Sequence, residues 1–170
     1  SVAYYRVVQA GDPTSYQWTF SPAQRSSLAM ITFRGVDPID PINAQAGQPN
    51  PASATITAPS VETLIPNTLL VGLFNSAQAQ TEITVDAPFD QVYQVQAGAG
   101  PNGDSQGGGT ALFSSTGPTG TRTASAQNNL SIGRLIALTP VTYTITGTIL
   151  EGGSPLEGVS VVAAGGHSQT

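Results

Sequence analysis

The chain has 170 residues, a formal net charge of -5 and only 9% charged residues, with 19 Gly, 13 Pro, no Cys and one His, His167. Its cations are all arginine, so no basic face is available to neutralise nucleic-acid phosphates, and the lack of cysteine excludes disulfides and thiolate metal sites. An apolar share of 39% argues against disorder, no apolar run approaches the roughly 20 residues that span a bilayer, and the usual imidazole, thiolate and lysine of side-chain catalysis are scarce or absent.

In chain order, Val2–Gln9 (VAYYRVVQ) reads as a first strand. Beyond a Gly11-Asp12-Pro13 turn, Ser15–Phe20 (SYQWTF) alternates, with Tyr16, Trp18 and Phe20 on one face, which predicts a core position for Trp18. Leu28–Arg34 (LAMITFR) places Ala29, Ile31 and Phe33 together, and the two prolines of Val36–Ile42 forbid a central strand there. Asn43–Ser53, rich in Ala, Gly, Gln and Pro, is expected to be a loop. Ala54–Ala58 follows, and then Thr68–Asn75 (TLLVGLFN), whose nearly continuous apolar run suits a central strand covered on both faces. Shorter strands are predicted at Glu82–Val85, Gln91–Gln96, Thr110–Ser114 and Thr121–Ser125, with glycine-dense Gly98–Gly109 as a mobile exposed loop. Ser131–Leu138 closes this pattern before Pro140, and the only helical candidate, Pro22–Leu28, is too short to matter.

After Pro140 the pattern changes. Val141–Leu150 sets Thr142, Thr144, Thr146 and Thr148 against Tyr143, Ile145, Gly147 and Ile149, Glu151–Pro155 turns the chain, and Gly158–Ala163 begins another strand. A lone hairpin has too little apolar face to be stable in water and needs a partner surface. The expected fold is therefore all-β: an antiparallel β-sandwich or jelly roll over residues 1–139, with a C-terminal β-hairpin extension over 140–170.

Candidate sites are few. Asp37 and Asp40, with Asn43 nearby, could offer oxygen ligands to Ca²⁺, but the density of acids found in dedicated calcium loops is missing, and a turn capped by the Asp37 carboxylate is the stronger reading. No other cofactor is expected. Asp86 and Asp90 flank Pro88-Phe89 as turn formers. A glycoside-hydrolase pair drawn from Glu62, Glu82 or Asp86 would need two acids converging in a cleft, and the acids here are scattered through turns. A triad would have to use His167 at a frayed terminus. Exposed rings among Tyr4, Tyr5, Trp18, Tyr93 and Tyr143 could instead stack on a sugar face. Tyr4 and Tyr5 are adjacent and must point to opposite faces of a strand, so one is exposed or at an interface. Candidate interface residues are Tyr4, Tyr5, Tyr143, Thr144, Ile145, Thr146, Val159 and Val161.

The words SYQWTF (15–20), ITFRGVDPIDPI (31–42), ITAPSVETLIPNTLLVGLF (56–74) and PTGTRTASAQNNLSIGRLIAL (118–138) together resemble, in order and spacing, a poorly characterised β-sandwich module of secreted bacterial surface proteins and of phage tail or virion proteins. The resemblance covers residues 1–139 and implies no catalytic residues. Modules of this kind usually carry further strands upstream of the segment matching Val2–Gln9. Downstream, GTILEGGSPLEGVSVVA resembles the opening of a carboxypeptidase-regulatory-like or bacterial immunoglobulin-like domain, of which only the first two strands are matched. Two expectations follow. Either the chain is mature, cut from a precursor or excerpted from a longer polypeptide, or strands absent from it are supplied by another chain. The implied setting is extracellular, on a cell surface or in a virion. The implied partners are further copies or other surface or virion proteins, with glycans as an alternative and neither nucleic acid nor a membrane span.

Overall fold

The computed structural model describes residues 2–19, 26–77, 82–98, 103–142 and 150–155. In chain order its strands are β1 (Ile42–Ala58), β2 (Glu62–Thr63), β3 (Thr68–Ser76), β4 (Thr84–Val85), β5 (Asp90–Ala97), β6 (Asp104–Phe113), β7 (Gly117–Pro118), β8 (Arg122–Leu138), β9 (Leu150–Glu151) and β10 (Ser154–Pro155). The described residues contain no helix, and every strand pairing among them is antiparallel. The fold is an all-β sandwich, as the sequence implies. The main sheet runs β1-β8-β3-β6-β5, with β4 joined to β8, while β2 pairs with β7 and β9 with β10.

One long ribbon builds both layers. β1 and β8 are each 17 residues long and pair along most of their length, with irregularities at Asn50, Ser53 and Thr55 of β1. Extra residues on one strand bend and twist a ribbon, and here the bend lays its far half over its near half. The Ser131–Leu138 half of β8 pairs with β3, whereas Ala124 and Ser125 pair with β4 in the second layer. Ile56, Ala58, Val85 and Ala124 from the short layer thus meet Leu70, Phe74, Ala111, Leu135 and Ala137 from the long one. Phe74 is fully buried, and its ring meets Phe89 edge to face at a centroid distance of 6.5 Å.

β3 lies between β8 and β6, in the central place its apolar run predicts. The glycines of β6 explain how bulky residues fit over it. A Cβ on Gly107 would lie 2.9 Å from Ile83 Cβ, and one on Gly109 would lie 3.0 Å from both Phe89 and Val85. Bare backbone at these positions is the floor on which Ile83, Val85 and Phe89 rest.

Several expectations are corrected. Asn43–Ser53 is not a loop but the first part of β1. Its inward residues include Ala44 and Ala46, half-buried against the core, and an alternation built on alanine carries almost no hydropathy signal. Pro49 and Pro51 are tolerated because β1 is an edge strand of the sheet order. The glycine-dense segment is not a mobile loop from Asp104 onward, because Gly107, Gly108 and Gly109 are buried in β6. The predicted strands Thr121–Ser125, from Arg122 onward, and Ser131–Leu138 are not separate but parts of β8, joined by a polar stretch with Gln127 and Asn128 exposed.

Val2–Gln9 and Leu28–Arg34 form no ladder, and neither does the described part of Ser15–Phe20, residues 15–19. Leu28–Arg34 keeps its predicted alternation all the same: Ala29, Ile31 and Phe33 are half-buried while Leu28, Met30 and Thr32 are exposed. At one end Ser27 donates its hydroxyl to Asp104 and its carbonyl accepts from Gln106 Nε2 at 2.6 Å. At the other, Val36 bridges to Pro140 and Val141 N–H donates to Gly35 at 2.9 Å. The segment is thereby pinned as an extended strap between the start of β6 and the residues just after β8. Alternation reports one covered side, and a docked strap satisfies it without a hydrogen-bonded neighbour.

The C-terminal extension is visible at its turn. Leu150 and Glu151 pair with Pro155 and Ser154 around Gly152-Gly153, both at positive φ (58° and 87°), the geometry of a tight hairpin turn that glycine adopts without steric cost.

Candidate interaction surface

The arm ahead of the strap exposes its apolar side chains. Tyr4 is 84% and Tyr5 70% exposed, and Val2 and Val8 are similarly open. Among the described residues its one backbone hydrogen bond is internal, from Asp12 N–H to the Gln9 carbonyl at 3.1 Å. The Asp12 carboxylate accepts from Gln9 N–H at 2.9 Å and pairs with Arg6, closing a small turn through Gly11 at φ 89°. The Gln9 amide first, and then the Arg6 guanidinium, hold the Asp12 carboxyl below its usual range. The Arg6 side chain is open to solvent, while the Asp12 side chain is only 10% exposed within this turn.

Trp18 corrects the sequence reading. It is 43% exposed and stacks obliquely on Tyr16, with ring centroids 6.1 Å apart and planes tilted by 41°. Phe20, the third member of the predicted face, lies outside the described residues. Of the interface residues expected from sequence, Tyr4 and Tyr5 are placed on this arm. Tyr143, Thr144, Ile145, Thr146, Val159 and Val161 lie outside the described residues.

The sheet order ends in two edge strands of different character. β1 is blunted by Pro49 and Pro51, which cannot donate to an incoming ladder. β5 (DQVYQVQA) has no proline and a single charge, at Asp90. A register shift between Gln91 and Tyr93 leaves Val92 bulged and 45% exposed. The strand is held from the other side by Tyr93, whose ring covers Gly108 so closely that a Cβ there would lie 2.8 Å from its Cζ. Sequence reading placed this strand but could not identify it as an edge, because edge position follows from strand order.

Burial pushes the Tyr93 phenol up to about 12 from the ordinary 10. The unfolded chain therefore loses this proton first as pH rises, so the contribution of Tyr93 is intact below about 10 and is lost between 10 and 12. The ring is partly in solvent, which limits the effect to on the order of 1 kcal/mol. Urea melts across that range are expected to show this decline in the parent chain and not in Tyr93→Phe.

The acids among the described residues do not converge. Asp37 Oδ1 accepts from Ile39 N–H at 2.8 Å and Asp40 N–H at 3.2 Å, the turn cap favoured above, and Asp40 is exposed. Asp86 accepts from the hydroxyls of Thr123 at 2.6 Å and Ser125 at 3.2 Å, tying the turn after β4 to β8. Glu62 lies on β2 and Glu82 ahead of β4, both exposed. Among the described residues no three His, Asp or Glu side chains gather as a metal site. An open depression of about 310 Å³ at Gly47, Gln48, Pro49, Ile132 and Arg134 contains no acid. No helix among the described residues is long and apolar enough to cross a membrane. Comparison with protein-family models, with curated proteins and with solved structures finds no match.

Proposed function

We propose that the chain is a non-enzymatic structural module that works outside the cell, in a cell-surface assembly, a filament or a virion, by associating through β-sheet edges. The observation that carries this reading is the N-terminal arm, which holds Val2, Tyr4, Tyr5 and Val8 in solvent beside a sandwich with its own buried core. Burying a large apolar side chain is worth roughly 1.5–3 kcal/mol, so a row of them left open is a standing drive toward association. The composition suits this role. Neutral Thr, Ser and Gln faces pack between subunits without desolvating ammonium groups, and no thiol is left to oxidise. The resemblance of four sequence words to modules of surface and virion proteins supports the same setting.

Sedimentation equilibrium over a wide concentration range tests the proposal. Concentration-dependent association is expected, and a monomer at every concentration would refute it. The oblique, exposed Tyr16–Trp18 pair favours a second reading, a carbohydrate-binding module, since adjacent tilted rings suit the faces of a sugar chain. Saturable glycan binding by a monomer, abolished in Trp18→Ala, would establish that reading in place of the first.

A further inference from the structure

Resting on the assembly reading, we infer that the open depression beside Arg134 is a carboxylate contact that seats an acidic side chain of a second copy of this chain, supplied by Asp40, Glu62, Glu82 or Asp90. Arg134 lies on β8 opposite Gly47 of the edge strand β1 on one side and Leu73 of β3 on the other. The flanking residues of those two strands, 45–49 and 71–75, include no acid. Arg134 is half-buried, and among the described residues it makes no ion pair and no hydrogen bond. Its planar fork of N–H donors is therefore left to an acceptor that arrives from outside. Gly47 keeps the approach clear. Its φ is not left-handed, so the backbone does not require glycine there, and a Cβ would lie 3.4 Å from Arg134 Nε. Pro49 and Ile132 line the same depression and offer apolar cover to the methylene groups of an acidic side chain.

Three features select the occupant. The depression is open, so it does not enclose a free small molecule, whereas a side chain carried on a broad surface needs only a seat. Pro49 in the adjoining edge strand has no N–H to offer an incoming ladder, so contact at this rim is made by side chains. The chain itself also supplies the complement, because Asp40, Glu62, Glu82 and Asp90 are exposed and form no ion pair among the described residues. Each copy thus carries both halves of the contact. Guanidinium and carboxylate meet there as a bidentate, charge-assisted pair, with water displaced by the surface that brings the acid in. The net charge of -5 hinders approach only weakly at physiological salt, where screening sets in over about 8 Å.

Charge exchange tests the contact. Arg134→Glu is expected to weaken association about tenfold or more in sedimentation, with its fold unchanged by circular dichroism. Arg134→Lys, which keeps the charge and loses the fork, should fall between it and the parent. Chains carrying Arg134→Glu are then mixed in turn with chains carrying Asp40→Arg, Glu62→Arg, Glu82→Arg or Asp90→Arg. One of these mixtures should regain parental association, because both contacts between unlike chains then pair opposite charges, and a merely structural role of Arg134 gives no such rescue. If Arg134→Glu associates at parental strength, or if no mixture recovers while the parent still associates, the Arg134 contact is wrong and the assembly reading stands. If the parent is monomeric throughout, both fall.

Discussion

Gly133→Ala is expected to cost about 3 kcal/mol or more, among the largest losses from adding one methyl group to this protein. Gly133 lies on β8 where the ribbon folds back on itself. A Cβ there would lie 2.5 Å from the Thr57 carbonyl carbon and 2.7 Å from Ala58 N. These are backbone atoms held by the β1–β8 ladder, with Thr57 opposite Thr123 and Ala58 opposite Arg122, so neither can turn aside as a side chain would. The two layers would have to separate, and Ile56, Ala58 and Ala124 would lose their seat on Leu135 and Ala137. Gly47→Ala on the same ribbon is the control. Its Cβ would meet only the Arg134 side chain, at 3.4–3.6 Å, which is ordinary contact, and its φ is not left-handed. Lower entropy of the unfolded chain should make Gly47→Ala neutral or slightly stabilising. Chemical denaturation of both variants separates a general cost of replacing glycine from the specific clash.

Phe74→Ala should cost about 3–5 kcal/mol. The ring is fully buried at the centre of the core, edge-on to Phe89, and it lies so close to Gly72 that a Cβ there would be 2.8 Å from its Cε2. The surroundings are the rigid central strands β3, β6 and β8, which cannot collapse into the space the ring leaves. Phe74→Leu keeps most of the volume and should lose about 1.5 kcal/mol or less. A urea midpoint that falls in this order, at unchanged slope, is the expected result. A domain stable by the usual 5–15 kcal/mol would spend much of that margin on either large substitution.

Both positions show how the sequence could be read and where it misled. The run around Phe74 announces a central strand without help, because a segment apolar on both sides can only be stable when covered on both. Gly133 looks like any glycine in a strand, and its role exists only because Thr57 is folded over it. Gly107–Gly109 suggested a loop by composition, yet each is buried under a residue distant in sequence. The arm illustrates the converse. Alternation of Tyr16 with Trp18 promised a core, but an extended chain shows the same period whether or not anything lies against it.

The sequence by itself determined that this protein is all-β, that Thr68–Asn75 lies at the centre of a sheet, that Asp37 caps a turn and that a glycine pair turns the C-terminal hairpin. Each of these depends on neighbours within a few residues, where side-chain period, proline and glycine act directly on the backbone. Only the tertiary structure decided that β1 and β8 form one bent ribbon serving both layers, that β5 ends the strand order opposite β1, and that Tyr4 and Tyr5 are open to solvent with Trp18 partly so. Strand order and the site of a fold-back are set by contacts between segments 29–96 residues apart, and no local pattern encodes which surface will arrive on the other side.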